Sequence, residues 1–228
     1  MRVAMHQPNF LPYLGFFDKM AKVDLFVLLD NVQFNSRDYQ QRNRVRMGDD
    51  WIWLTVPVLT RGRYGQTIAE VEIDNTRNWQ RTVCKTLQHA YGKSAFFKDY
   101  GPDYFEILNQ RYIGILDLNI DLLRYTAELL RINTPVVTSS PFPVEGAKED
   151  RLIALCKKIG AHSYLSGDGG LDYIDPKRWF AEGFNVQFQN FEHPVYYQRR
   201  GGFLPYMSVV DAIFEIGPEA TRRLIGDA

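Results

Sequence analysis

The sequence predicts an α/β fold, a Rossmann-like core of parallel strands with an antiparallel β insertion and a helical segment. Three observations predict it. The opening reads strand, loop, helix, strand; an alternating apolar–polar hairpin follows; and strand and helix alternate again after a helical middle. A chain of 228 residues is about one and a half average domains at roughly 150 residues each, which suits one domain carrying an insertion. The expected division is 1–38 and 134–228 for the core, 39–75 for the antiparallel insertion and 76–133 for the helical segment. At this length about 70% of the unfolded surface can be buried, so folding needs no metal or disulfide.

Each element has a local reason. Arg2 to His6 is a short apolar strand, and Gln7 to Pro12 is a loop stiffened by prolines. From Leu14 to Lys22 apolar residues recur at helical spacing (Leu14, Phe17, Met20, Ala21). The run Leu25-Phe26-Val27-Leu28-Leu29 between Asp24 and Asp30 suits a strand buried on both faces. Together these open a βαβ unit, whose loop lies at the carboxyl edge of the sheet, where such folds take ligands. Arg42 to Met47 and Trp51 to Val58 alternate around the turn Gly48-Asp49-Asp50, and Ile68 to Ile73 is a third antiparallel candidate. Trp79, Val83, Leu87 and Tyr91 mark a helix with Asp74, Asn75 or Thr76 as cap, followed by helices over Pro102 to Ile113 and Leu118 to Ile132. The second α/β stretch has strands at Val136-Val137, Ser163 to Leu165 and Asn185 to Gln189. Its helices run from Glu149 to Ile159, ended by Gly160, then from Pro176, and last from Pro205 to Ile216 before Gly217-Pro218.

Composition narrows the function classes. Lys and Arg number 27, as do Asp and Glu, so no global charge draws the chain to DNA or to a membrane surface. Hydrophobic content of 45% and charged content of 24% are those of a globular protein. No apolar run approaches the ~20 residues of a membrane span. Met1 leads straight into strand-like sequence without a signal-peptide h-region, and Cys84 and Cys156 fall in helical patterns as core thiols. A reducing cytoplasm is the expected location. His6, His89, His162 and His193 are scattered, with no metal-ligand spacing, so no metal site is expected.

Four segments can carry chemistry. In the loop from His6 to Phe17, Gln7, Asn9 and Tyr13 precede a helix start where Gly15 would let a ligand approach, and the helix N-terminus suits an anion. The alternative is a rigid loop whose polar groups satisfy backbone. In the second segment, Asp30 ends the buried strand, Gln33 follows, and Arg42, Arg44 and Arg46 share one strand face beside Asn43. Clustered guanidiniums suit a multiply charged anion, or else form a solvated edge. The third is Ser166-Gly167-Asp168-Gly169-Gly170 with Tyr173, whose free backbone N–H groups could cradle oxygens, although its spacing is that of no phosphate loop. The fourth holds Tyr197 and Gln198, an aromatic sugar or base site or simply core, and Ser208 with Asp211, spaced like a capping box.

Read in order, these segments resemble the WbqC-like family. The likeness is carried by His6-Gln7-Pro8-Asn9-Phe10-Leu11-Pro12-Tyr13-Leu14-Gly15-Phe16-Phe17-Asp18-Lys19, Asp30-Asn31-Val32-Gln33-Phe34, Arg42-Asn43, Trp53, Val56-Pro57, Trp79 and Tyr91. It continues through Arg151-Leu152, Tyr164, Gly169-Gly170, Tyr173, Tyr197-Gln198, Phe203-Leu204-Pro205 and Ser208-Val209-Val210-Asp211. The chain departs from the family pattern at Gln41, where Asn is usual, and around Phe214-Glu215, where an Asn often stands. The resemblance implies surface-polysaccharide (O-antigen, lipopolysaccharide) biosynthesis, with transfer of a glycyl or related acyl group to the amino group of a nucleotide-linked amino sugar. A remoter similarity is to nucleotidylyltransferase-like folds, where paired histidines act in the first loop; here Tyr13 and Phe16 lie near those places. That similarity implies ATP with Mg²⁺ as a cofactor to test, and an aminoacyl-tRNA is another donor to test.

On this reading His6 or Asp30 removes a proton from the attacking amine. Gln7, Asn9, Tyr13, Gly15, Gln33, Arg42, Asn43, Arg44, Ser166 to Gly170, Tyr173, Tyr197, Gln198, Ser208 and Asp211 bind substrate. The rivals are a non-catalytic binder of nucleotide sugars or phospho-ligands, and nucleotidylyl transfer itself.

Overall fold

The computed structural model describes residues 1–226. Its main sheet has five strands, β1 (Arg2–His6), β2 (Leu25–Leu28), β5 (Val136–Thr138), β6 (Ser163–Ser166) and β7 (Asn185–Phe188), in the order β5-β2-β1-β6-β7. All neighbours are parallel. The chain winds outward from β1 through β2 to β5, then returns to the other side of β1 for β6 and β7. The direction of winding therefore reverses between β1 and β6, and this reversal is the place where doubly wound sheets leave a crevice.

Side-chain alternation along the strands builds two cores. Ala4, Phe26, Leu28 and Leu165 face one side, where α1 (Leu14–Ala21), α4 (Ile115–Leu129) and α7 (Val209–Leu224) pack with α2 (Trp79–Tyr91) and α3 (Phe97–Asn109). Val3, Met5, Val27 and Tyr164 face the other, against Leu152 and Cys156 of α5 (Lys148–Lys158) and Trp179 of α6 (Pro176–Ala181). The run through β2 is apolar because both its faces are covered.

β1 pairs with β2 from Val3–Leu25 to His6–Leu28, but with β6 only at Arg2–Ser163 and Val3–Tyr164. The sheet splays beyond Val3. β3 (Arg42–Met47) and β4 (Asp50–Thr55) form a separate antiparallel ribbon, with Gly48 at φ 67° in its turn.

Some expectations need correction. Ile68 to Ile73 is not a third strand: Ile68–Glu70 is a 3-10 turn held by a capping box between Thr67 and Glu70, and Ile73 only bridges Val58. The local side-chain bonds outcompete a ladder. α3 begins at Phe97, with Pro102 inside it, and ends at Asn109. The residue before α2 is Asn78, because Asp74 is taken by Thr76, and Asn75 by Trp79 and Tyr112. The last helix starts at Val209 and passes Gly217-Pro218 with a kink, Gly217 taking φ 80°. Among the described residues no helix is long and apolar enough to cross a membrane.

Candidate functional site

His6 ends β1 and Ser166 ends β6, so both project from the splayed edge of the sheet. Two cavities of about 310 Å³ each meet at His6. The inner one is lined by Met5, His6, Gln7, Lys19, Leu152, Ser166, Gly167, Gly169, Gly170 and Tyr173. The outer one is lined by His6, Asn9, Tyr13, Tyr39, Asn43, Arg44 and Tyr206. Larger hollows of about 460 and 580 Å³ lie around Asp24 and Leu130–Thr134 and beside Arg222–Arg223. The first of these opens at the amino edge of β2, opposite to where parallel sheets take ligands, and neither holds a residue of the loops described above.

The His6 imidazole stands edge-on to Phe16 with ring centres 4.7 Å apart. Its Nδ1 lies 2.9 Å from the Gln7 carbonyl oxygen. A carbonyl can only accept, so Nδ1 carries the proton and Nε2 is left as an acceptor. Burial, helped by the Lys19 ammonium, pushes His6 down to about 3, so the ring is neutral at physiological pH. Lys19 falls within the family likeness but was not among the residues singled out from sequence as a site. Its ammonium donates to the Met5 carbonyl at 3.3 Å, and burial pushes it down to about 7.

The outer cavity joins three distant segments. Asn43 Nδ2 donates to the Phe10 and Leu11 carbonyls at 3.1 and 2.8 Å, holding the first loop against β3. Ser208 N donates to the Arg44 carbonyl and Val209 N to the Pro12 carbonyl, both at 2.8 Å, which docks the start of α7 on the same loop. Leu11 and Tyr206 take φ of 43° and 59°. Such backbone costs bulky residues about 1–2 kcal/mol and is held here by those bonds. The Tyr13 ring lies over Gly15, so the space expected for a ligand there belongs to Tyr13 itself. Burial, with Asp168 next, pushes the Tyr13 phenol up to about 12.

The three guanidiniums have three fates. Arg44 enters the outer cavity and donates to Tyr39 Oη at 2.8 Å. Arg42 stacks on Trp53, 4.0 Å from the ring centre, and Arg44 lies 5.1 Å from that of Trp51. Arg46 is buried and donates to Gln198 and to the Gly202 carbonyl. Mutual repulsion is relieved by aromatic faces and by divergence, so only one of the three meets the cavities.

Several expected site residues are placed elsewhere. The Asp30 carboxylate accepts from Ser139 Oγ and Ser140 N at 2.9 Å each and also from Ser140 Oγ. It anchors the turn after β5 and lines neither cavity, so a free base at this position is not what the structure has. Gln33 bridges Thr67 on the exposed side, and Tyr197 is exposed. Asp211 is buried, accepting from Tyr91, Tyr196 and Gln198 at 2.9, 2.6 and 2.8 Å. Ser208 makes no side-chain cap, so these two do not form a capping box. Asp168, beside the inner cavity, accepts from Asn190 N at 3.1 Å. Brought together are His6, Gln7, Asn9, Tyr13, Asn43, Arg44, Ser166, Gly167, Gly169, Gly170 and Tyr173. Tyr39 and Tyr206 join them without having been foreseen, since they reach the cavity through loops.

The order of these loop residues along the chain is also that of a family. The model of the WbqC-like protein family matches residues 7–223. The chain belongs to the WbqC-like protein family. It is 32% identical over 228 residues to an uncharacterized protein of Mycobacterium tuberculosis (strain ATCC 25618 / H37Rv), covering 98% of this chain and 97% of that relative. No solved structure matches the chain. In this WbqC-like chain the residues lining both cavities fall within the matched stretch, apart from Met5 and His6 just before it.

Proposed function

We propose that the protein is an acyl or aminoacyl transferase, or an amide-forming ligase, acting on the amino group of a nucleotide-linked amino sugar in surface-polysaccharide biosynthesis. The observation that carries this reading is the meeting of two small-molecule cavities at one neutral imidazole. A transferase needs two substrates side by side, and positioning alone supplies much of the rate.

The outer cavity suits the nucleotide sugar, with Arg44 for a diphosphate oxygen and Tyr13, Tyr39 and Tyr206 for a base or sugar face. The inner cavity suits the activated acyl group, with the Gly167–Gly170 backbone near its oxygen. The amine nitrogen attacks the acyl carbon, forming the N–C bond. The bond from that carbon to its carrier breaks, and the carrier leaves with the electron pair. Nε2 of His6, which carries no proton, accepts a hydrogen bond from the attacking nitrogen and hands that proton on to the departing carrier. No covalent enzyme intermediate is required.

The test mixes purified protein with UDP- or dTDP-amino sugars and glycine plus ATP and Mg²⁺, or an aminoacyl-tRNA, and seeks a glycyl mass added to the sugar. Such a product, lost in His6→Ala, is the expected result. Thermal stabilisation by nucleotides without a product from any donor would make the protein a binder. Mg²⁺-dependent pyrophosphate release without an amide product would make it a nucleotidylyltransferase.

A further inference from the structure

Every residue of α1 is buried, and two of them, Asp18 and Lys19, are charged. They are treated very differently. Asp18 has a full set of partners: Lys22 Nζ at 2.8 Å, Gln189 Nε2 at 2.6 Å and the Gly226 amide at 2.9 Å. Lys19 is 3% exposed, and among the described residues no carboxylate lies within ion-pairing distance of it. Among the described residues its one acceptor is the Met5 carbonyl, left free where β1 parts from β6. A buried ammonium offers three donors, and one long bond leaves it poorly satisfied.

Its surroundings offer a place for an acceptor. The ammonium stands 5.9 Å from the Phe26 ring centre on one side. On the other, a Cβ on Gly167 would lie 3.4 Å from Nζ, so the glycine leaves the approach open. Nζ borders the inner cavity, with His6, Ser166 and Gly170. We propose that Lys19 is the anion receptor of the inner cavity, its ammonium pairing with a substrate oxyanion, either phosphate or carboxylate, set between His6 and Gly167–Gly170. Naming that oxyanion as part of a transferase substrate rests on the function proposed above; the site itself does not.

The ionisable groups around the cavity support a charge change confined to the lysine. His6 is held neutral, and burial pushes the phenols of Tyr164 and Tyr173 upward. Asp168 is the carboxylate that acts on Lys19 through space and favours its charged form. An oxyanion beside Nζ favours it further, so binding above neutral pH draws in a proton.

The experiment is calorimetric titration of the full chain with inorganic phosphate, pyrophosphate and acetate at pH 8, in two buffers of different ionisation heat. Lys19→Met is compared with the wild type and with Lys98→Met, a change at an exposed helix position. Expected is binding with proton uptake, weakened at least tenfold by Lys19→Met and unchanged by Lys98→Met. Preference for the phosphates or for acetate tells which group occupies the site. Lys19→Met removes a poorly satisfied buried charge, so it should melt at or above the wild-type temperature, and lost binding is then not lost folding. No binding of any of these anions, or equal binding by Lys19→Met, overturns the proposal. Anion binding without acyl transfer would leave the site standing and remove the transferase, whereas transfer at wild-type KM by Lys19→Met would do the reverse.

Discussion

Tyr13 lies so close over Gly15 that a Cβ on Gly15 would stand 2.5 Å from its Cε2 atom. The ring forms a wall of the outer cavity, and the glycine is what allows it to lie there. Gly15→Ala should therefore push the ring aside. Alanine is the better helix former by about 1 kcal/mol, so melting should hold or rise while nucleotide-sugar affinity falls several-fold. Titration of the variant beside a thermal melt checks both halves, and unchanged affinity would contradict this role for Tyr13.

Arg42 and Arg44 are neighbours on one strand face with separate tasks. Arg42→Ala loses a stacked cation worth about 1 kcal/mol and should lower the melting temperature by a few degrees without altering ligand affinity. Arg44→Ala should weaken binding of a nucleoside diphosphate tenfold or more at similar stability. Equal effects of the two on binding would mean that the cavity does not select between them.

Tyr91 Oη accepts from Arg46 N and donates to Asp211, both at 2.9 Å. Burial raises the Asp211 carboxyl, while the donations from Tyr196, Tyr91 and Gln198 hold it down. Tyr91→Phe strips a buried amide and a buried carboxylate of a partner each. The cost should be about 2–4 kcal/mol in chemical denaturation. A loss below about 0.5 kcal/mol would mean that water replaces the hydroxyl at little cost.

His6 is pushed from 6.5 down to about 3 in the folded protein. As the pH falls through 6.5 the unfolded chain takes up a proton there, and the folded chain does not until near 3. Stability tied to His6 is thus present above 6.5 and lost between 6.5 and 3. The stability of the wild type minus that of His6→Asn should fall across that window, measured by urea midpoints at several pH values. A difference constant with pH would show that the ring is not shielded.

The opening βαβ unit and the placing of its loop at the carboxyl edge of the sheet were legible because Leu25 to Leu29 is apolar without a break and the loop before the helix is polar and proline-bound. The order of the five strands was not. A pocket shared by the first loop and the guanidiniums of β3 was expected, and Asn9, Tyr13, Asn43 and Arg44 line one cavity, but Arg42 and Arg46 do not. The isolation of Lys19 was not legible. A lysine among apolar helical residues normally marks the solvent face, and only the packing of the sheet and the Gln189 segment around α1 buries it. Nor could sequence show that Asp30 is occupied, because Ser139 and Ser140 arrive from more than a hundred residues away. At Ile68 to Ile73 the alternation is real, but Thr67 and Glu70 close a turn within it.

The rungs joining β1 to β6 stop at Val3 and Tyr164. Past that point the two halves of the sheet resemble pages bound along a single margin. Across the open margin the Gln189 side chain, bonded to Gly15 and Asp18, laces the two leaves together, so widening that gap costs side-chain bonds rather than rungs of the sheet.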